Sequence, residues 1–144
     1  MTNQQGEKIQ IGIQRVYVKD LSFESPNAPQ IFMKQVKPNI SLDLTTGSQK
    51  LDEGVFEVSL TVTATAKHEE EVIFIAEVEQ AGIFSVSGLD GERLNRLLAT
   101  YCPNALFPYV REAIDGLTIK GSFPALLLSP VNFEALYEQK MQES

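Results

Sequence analysis

Few side chains in this sequence could take part in catalysis. His68 is the single histidine and Cys102 the single cysteine among 144 residues. His68 could serve as a general base and Cys102 as a nucleophile. We favour a solvated position at a hairpin for His68, beside Glu69–Glu71, and a structural role for Cys102. One histidine forms neither a histidine-based triad nor a histidine-rich metal site, and a lone cysteine such as Cys102, beside Pro103, is usually a small buried hydrophobe.

The acidic residues offer a second kind of chemistry. Glu69–Glu71 could bind a cation, and Glu77 and Glu79 could act as an acid–base pair. Consecutive charges at a hairpin tip are usually just solvated, and the glutamate pair lies among Ser and Thr on a flat surface. The run SGLDGERL at 87–94 is not a phosphate loop, since its own carboxylates would repel a phosphate. We therefore predict no enzyme, no cofactor and no metal site.

The charge balance excludes several classes of partner. The net charge is -7 at pH 7. This argues against nucleic acid, because neutralising phosphates requires clustered Lys and Arg. It also argues against docking on an anionic membrane surface. An acidic chain is compatible with basic partners, including positively charged unfolded segments.

The sequence predicts a single domain that stays in the cytoplasm. The length of 144 residues fits one domain over 1–144, with a mobile tail at 1–8 and a short C-terminal tail at 138–144. The N-terminal residues are polar and no apolar signal region follows them. No apolar run approaches the ~20 residues that span a bilayer, so no membrane insertion is expected. The lone cysteine fits a reducing compartment.

Alternating residues predict an antiparallel sheet. Between positions 55 and 66, apolar residues alternate with Glu, Ser and Thr, which is typical of a strand with one buried face. The alternation at 40–45 predicts another such strand, ended by a turn around Gly47. The charged residues 67–71 predict a hairpin connection. Strands with one wet face are antiparallel more often than parallel.

Two further strands complete the predicted sheet. One runs from Val72 to Glu79, with its even-numbered apolar residues buried and with Ile73, Ile75, Glu77 and Glu79 on the opposite face. The other runs from Ile9 to Phe23. Its apolar pattern changes phase twice, which predicts bulges or bends.

The period then changes to that of helices. Apolar residues recur at spacings of three and four from Leu94 to Leu117, with Asp90 as a plausible N-cap. Pro103 and Pro108 predict a kink or break near Cys102. Gly121 ends this helix, and a last helix is predicted to start near Ser129 and Pro130. The fold class is therefore α+β: a four-stranded antiparallel sheet with one long Pro-broken helix and a shorter C-terminal helix packed on one face.

Four blocks of the sequence closely resemble the SecB export chaperone family. They are IQRVYVKDLSFESPNAP (13–29), QAGIFSVSGL (80–89), YCPNALFPYVRE (101–112) and GSFPALLLSPVNFEALY (121–137). They fall in the family's order and cover nearly the whole chain. The resemblance implies a homotetramer, built as a dimer of dimers. It further implies an ATP-independent chaperone that holds secretory preproteins unfolded and delivers them to the translocase motor SecA.

The resemblance also implies which residues bind SecA and which support assembly. The family's SecA-docking surface is acidic and lies on the exposed sheet face. The matching positions are Asp20, Glu24, Ile75 and Glu77. Strand alternation independently places Ile75 and Glu77 on the wet face. Three positions match residues tied to tetramer assembly: Ala76, Val78 and Gln80. Their alternative role is core packing under the helix, and both roles are compatible.

Client binding in the family uses long apolar grooves beside the helix connection. The candidates in that connection are Phe123, Leu126, Leu127 and Leu128, and Phe32 and Val36 are the candidate opposing wall. Val36 stands where a large aromatic residue is expected. An irregular segment with three consecutive leucines cannot turn all of them inward, and exposed apolar patches usually mark binding sites.

Two other functions compete with export. One is a SecB-like chaperone dedicated to a toxin-antitoxin system, which would have no need of the acidic docking residues. The other is a small-molecule enzyme or carrier, which would require a closed pocket with converging polar groups. The acidic residues favour export over the dedicated chaperone, and the sequence offers no sign of the pocket that an enzyme or carrier would need.

Overall fold

The computed structural model describes residues 8–143, which form one sheet and three α-helices. The strands are β1 (Gln10–Glu24), β2 (Asn39–Asp52), β3 (Val55–His68) and β4 (Glu71–Ser87). The helices are α1 (Gly91–Ala99), α2 (Tyr101–Lys120) and α3 (Phe133–Glu143), and a short 3-10 helix, Gln30–Met33, follows β1. The four strands pair antiparallel in the order β1-β4-β3-β2. The predicted α+β class is confirmed. Of the tail predicted at 1–8, positions 1–7 lie outside the described residues.

The core lies between the sheet and α2. We call the sheet face that α2 covers the inner face and the opposite one the outer face. The alternation predicted for β3 is confirmed, since Val58, Leu60 and Val62 on the inner face are all buried. A Cβ added to Gly82 of β4 would lie 3.2 Å from Leu106 of α2, so helix and sheet approach closely there. No helix within residues 8–143 is long and apolar enough to cross a membrane.

Both phase changes predicted in the first strand are confirmed as bulges. The pairing of β1 with β4 shifts between Ile13 and Arg15, and again between Val18 and Asp20. Each extra residue reverses the side of the sheet on which the following residues lie. The bulges therefore bring Phe23 to the inner face and place Asp20 and Glu24 outside.

The turn predicted around Gly47 is wrong. Strand β2 continues through Gly47, which pairs with Ser59, and ends at Asp52. The chain reverses instead at Glu53 and Gly54, where Gly54 adopts a φ of +71° that favours glycine. Polar residues near Gly47 reflect an exposed edge strand and not a turn.

The strand predicted from Val72 to Glu79 is longer and begins differently. β4 continues to Ser87, and Ile73, predicted to be exposed, is 1% exposed. A register shift in the pairing of β3 with β4 places Ile73 out of the regular alternation. The segment after β1 is tied to this part of β4, where Ser25 donates a hydrogen bond of 2.9 Å to the Ile73 carbonyl.

The break in the long helix lies close to its predicted position but not at it. The break separating α1 from α2 is at Thr100, two residues before Cys102. Pro103 lies in the first turn of α2, where a missing N–H costs little, and the helix continues through Pro108. Asp90 is the N-cap of α1, although its side chain makes no capping hydrogen bond.

The last helix starts later than predicted. α3 begins at Phe133, where the N–H of Ala135 donates to Oδ1 of Asn132 at 3.0 Å, so Asn132 and not Ser129 is the cap. Pro130 belongs to the extended connection. The helix runs through Glu143, so the residues predicted as a tail from position 138 are helical as far as that residue.

Candidate functional site

The four predicted SecA-docking residues lie together on the outer face. Strands β1 and β4 are neighbours, with Glu24 directly opposite Ile75 and Asp20 directly opposite Glu79. Glu77 lies between Ile75 and Glu79 on the same face of β4. Directly opposed residues of an antiparallel pair have side chains on the same face, within contact distance. The arrangement forms one acidic surface with a single isoleucine in it.

This acidic surface extends further than the sequence-based prediction. Glu79 contributes a further carboxylate on β4, as the alternation in that strand already indicated. Asp43 of β2 lies directly opposite Thr63, which lies directly opposite Glu77. Asp43 alternates with apolar residues in the sequence, but its place beside Glu77 depends on the register of three strands. We call Asp20, Glu24, Asp43, Ile75, Glu77 and Glu79 the acidic end of the outer face.

One carboxylate of the acidic end is held by a hydrogen bond. Oγ1 of Thr63 donates to Oε2 of Glu77 at 2.6 Å. Both residues are half-buried. The bond links the two central strands of the sheet on its outer face. No feature of the sequence singled out Thr63.

The other end of the outer face contains a polar cluster that the sequence did not reveal. Glu57 is 9% exposed and accepts hydrogen bonds from Tyr17 at 2.5 Å and from Gln49 at 2.9 Å. Nζ of Lys19 lies 3.2 Å from its Oε2. Tyr17 of β1 therefore reaches Glu57 of β3 across the intervening strand β4. The cluster therefore joins side chains of β1, β3 and β2.

Hydrogen bonding and burial shift the pKa values of two groups in this cluster. The hydrogen bond from Tyr17, and then that from Gln49, lower the pKa of Glu57. Burial, followed by the interaction with Glu57, raises the pKa of Tyr17 to about 12. At neutral pH, Glu57 is therefore ionised and Tyr17 is a neutral donor.

The predicted assembly residues are buried within the chain. Ala76 and Val78 are 0% exposed and Gln80 is 3% exposed. All three lie on the inner face of β4, under α2. Their part in tetramer formation stays a prediction, and it would have to act through the packing of α2.

Two of the predicted client residues, Phe32 and Phe123, lie in an aromatic cluster. The ring of Phe123, just after α2, lies 5.4 Å from Phe32 and 5.0 Å from Phe74 between centroids. Phe32 is 49% exposed, and Val36 is half-buried and packs against the core. Met33, beside Phe32, is 86% exposed and was not among the residues predicted to bind clients. Phe32 and Phe123 stack directly on each other and do not face each other across an open groove, so their part in client binding stays a prediction.

The three consecutive leucines differ in exposure. Leu128 is 6% exposed and belongs to the core, Leu126 is half-buried, and Leu127 is 74% exposed. Oδ1 of Asp115 accepts hydrogen bonds from the N–H of Leu126 at 3.0 Å and of Leu127 at 3.2 Å. Leu127 adopts a φ of +54°, which is unusual for a residue other than glycine. The backbone around Leu127 is therefore held while its side chain faces solvent.

A groove between β2, α1 and α3 is a further apolar surface. It has a volume of about 690 Å³, and its apolar lining includes Leu44, Ala99, Phe133, Leu136 and Tyr137. No sequence pattern predicts this groove, because its walls come from elements far apart in the chain.

An arginine holds α3 beside this groove. Nη2 of Arg96 lies 2.5 Å from Glu134 and 2.6 Å from Glu138, and its guanidinium stacks over the ring of Tyr137. The last helix is therefore attached to α1 through a charged contact, and Phe133 joins the core, where its ring lies 6.3 Å from that of Phe107 in α2.

His68 and Cys102 have structural surroundings. Nδ1 of His68 accepts a hydrogen bond of 3.1 Å from the backbone N–H of Lys37. Cys102 is 0% exposed, and burial raises the pKa of its thiol to about 12. A buried neutral thiol is a poor nucleophile. The structural role favoured for Cys102 agrees with this geometry, whereas His68, predicted to be solvated, is half-buried and hydrogen-bonded.

Comparison with known proteins identifies close relatives of the whole chain. The family described as preprotein translocase subunit SecB matches residues 3–144. The protein-export protein SecB of Marinobacter nauticus is 51% identical over 140 residues, covering 97% of this chain and 85% of that protein. The corresponding protein of Azotobacter vinelandii is 54% identical over 139 residues, covering 96% and 85%.

A solved structure has the same fold. A SecB-like chaperone of Mycobacterium tuberculosis, in complex with an antitoxin peptide, superposes with a TM-score of 0.71. The alignment covers 84% of this chain and 90% of that chain, at 21% identity. At this identity the likeness establishes the fold alone.

Proposed function

This chain belongs to the SecB family of protein-export proteins, and we propose on that premise that it is an ATP-independent holdase for secretory preproteins. It acts in the cytoplasm, keeps preproteins unfolded and delivers them to SecA. It works by binding and release and not by catalysis. Release is then driven by SecA or by folding of the client.

The main support for client binding is the exposed side chain of Leu127. It is 74% exposed on a backbone that Asp115 holds in a left-handed conformation. Such a conformation costs energy in a leucine and persists only where neighbouring contacts impose it. A leucine held outward by the fold is suited to contact an apolar segment of another chain. Phe32 and Met33 add exposed apolar surface near Phe123.

The acidic end of the outer face supports docking of SecA. Its carboxylates complement a basic partner, and Ile75 offers a small apolar contact among them. Complementary charge raises the association rate and the specificity more than the affinity itself. A chaperone dedicated to one toxin-antitoxin system would bind peptides but would have no need of this surface. Binding of SecA therefore discriminates between the two functions.

Exposed apolar residues on β1 and α2 support assembly into a tetramer. Val18 and Leu21 on the edge strand β1 are 47% and 48% exposed. Tyr109 and Ile119 on α2 are 49% and 60% exposed. Apolar surface of this kind on a strand edge and on a helix is typical of subunit contacts.

The test is a refolding assay followed by a SecA titration. A slow-folding preprotein diluted from denaturant should refold more slowly when the chaperone is present, without any nucleotide. Unchanged refolding kinetics would contradict the holdase function. Glu77→Lys should weaken binding to SecA at low salt and leave the arrest of refolding intact. If SecA binds the variant as tightly as the parent at both low and high salt, the docking face lies elsewhere.

A further inference from the structure

We propose that Thr63 is a positioning residue for the docking surface, because its hydroxyl fixes the Glu77 carboxylate toward a cationic group of the partner. This inference rests on the proposed function of the acidic end. It adds a residue outside the set that the resemblance implied. It also gives Glu77 a role that differs from those of the neighbouring carboxylates.

The geometry favours a fixed carboxylate. Thr63 lies on β3, an inner strand of the sheet, and faces Glu77 directly across the β3–β4 pair. Its hydroxyl donates to Oε2 of Glu77 at 2.6 Å. A β-branched side chain has few accessible χ1 rotamers, so the donor is itself rigid. The long glutamate side chain is thereby restrained, and its Oε1 remains available to a partner.

No ion pair among the described residues neutralises the charge of Glu77. Within residues 8–143, none of the ion pairs involves Glu77. Thr63 is neutral, so the hydrogen bond orients the carboxylate and leaves its negative charge in place.

Glu57, on the same face, shows the contrasting arrangement. It is also held by hydrogen bonds, but Lys19 lies 3.2 Å away and the residue is only 9% exposed. Its charge is compensated and largely withdrawn from solvent. Glu57 is therefore suited to stabilise the sheet, whereas Glu77 is suited to meet a cation from outside.

The partner group implied is an arginine or a lysine. A carboxylate with one restrained oxygen and one free oxygen accepts a charge-assisted hydrogen bond from either. Restraining the side chain beforehand removes part of the entropy that binding would otherwise lose. Ile75, two residues away on the same face, supplies an apolar contact next to the charged one.

The experiment compares two threonines of β3. Thr63→Val removes the hydroxyl and keeps the branched shape. Thr61→Val is the matched control, because Thr61 faces Glu79 in the same way, but donates no side-chain hydrogen bond within residues 8–143. Binding to SecA is measured for each variant by titration calorimetry at low salt. We expect Thr63→Val to weaken binding by about threefold to tenfold. Thr61→Val should match the parent, and Thr63→Ser should restore most of the affinity.

A double-mutant cycle with Glu77→Ala separates positioning from a general structural effect. If Thr63 acts through Glu77, Thr63→Val causes no further loss of SecA affinity in the Glu77→Ala background. A further loss of affinity in that background overturns the proposal. Thr63→Ala provides the same cycle should the valine variant fail to fold, as judged by its thermal transition.

The same measurements distinguish this inference from the proposed function. If Glu77→Ala binds SecA as tightly as the parent, the acidic end of the outer face is not the docking surface. If Glu77→Ala weakens binding while Thr63→Val does not, the docking face stands and the positioning role is overturned.

Discussion

Substitution of Leu127 and of Leu128 should affect different properties of the protein, although the two residues are adjacent in the sequence. Leu127 is 74% exposed and Leu128 is 6% exposed. Leu127→Ser should weaken client binding and leave the stability of the fold nearly unchanged. Leu128→Ala should lower stability. Replacing both leucines together would mix the two effects, so they must be changed one at a time.

The exposures set the size of each effect. Full burial of a leucine side chain contributes about 1.5–3 kcal/mol, and about three-quarters of that remains to be gained when a client covers Leu127. The loss expected for Leu127→Ser is therefore about 1–2 kcal/mol, or roughly 5- to 30-fold in the dissociation constant. Leu128→Ala loses its buried contacts and leaves a cavity, which costs about 2–5 kcal/mol of unfolding free energy.

Two measurements test the pair. Client affinity is measured by fluorescence anisotropy with a labelled unfolded preprotein, and stability by urea unfolding. Leu51→Ser is the control, since Leu51 is 48% exposed at the far end of β2 and should affect neither quantity. If Leu127→Ser binds clients within twofold of the parent, the helix connection is not the client surface. If Leu128→Ala unfolds at the same urea concentration as the parent, Leu128 does not contribute to the core.

Three further predictions concern packing, pH and assembly. Gly121→Ala should lower the unfolding free energy by about 1–3 kcal/mol, because the added methyl would overlap the ring of Phe23. Gly116→Ala, where a Cβ would meet nothing within 4 Å, should stabilise α2 slightly, by up to about 1 kcal/mol, and urea unfolding of the two variants checks both. The difference in unfolding free energy between the parent and Tyr17→Phe should be largest near neutral pH. It should shrink as pH rises from 10.0 toward 12, through the raised pKa of Tyr17, and as pH falls below 4.5, through the lowered pKa of Glu57. A difference that stays constant over this pH range would show that the hydrogen bond contributes nothing. Sedimentation at micromolar concentration should give the mass of a tetramer, and a monomer alone would contradict the proposed assembly.

Local periodicity was sufficient to predict most of the fold. Alternation identified the strands, the phase changes in the first strand located its two bulges, and spacings of three and four identified the long helix. Pro103 correctly signalled a break close to Thr100. These features depend on neighbours a few residues apart, which is the range over which backbone geometry repeats.

Some local signals were misleading because a distant segment decided the outcome. Gly47 resembles a turn residue, but its backbone pairs with Ser59, so the strand continues. Ile73 was assigned to the wet face by alternation, yet it lies at a register shift between β3 and β4 and is buried. Leu128 cannot be told from Leu127 by composition, and only the packing of the connection against α2 separates them.

Both the sequence and the tertiary structure were needed to locate the proposed docking surface. Alternation placed Ile75 and Glu77 outside, and the resemblance added Asp20 and Glu24. Only the order of the strands brings β1 beside β4, and only the register of β3 places Thr63 opposite Glu77. The polar face of most strands follows from the sequence, since side chains alternate with a period of two along one chain. Which polar residues lie opposite each other in neighbouring strands depends on hydrogen-bonded pairing between distant segments, so it becomes known only from the tertiary structure.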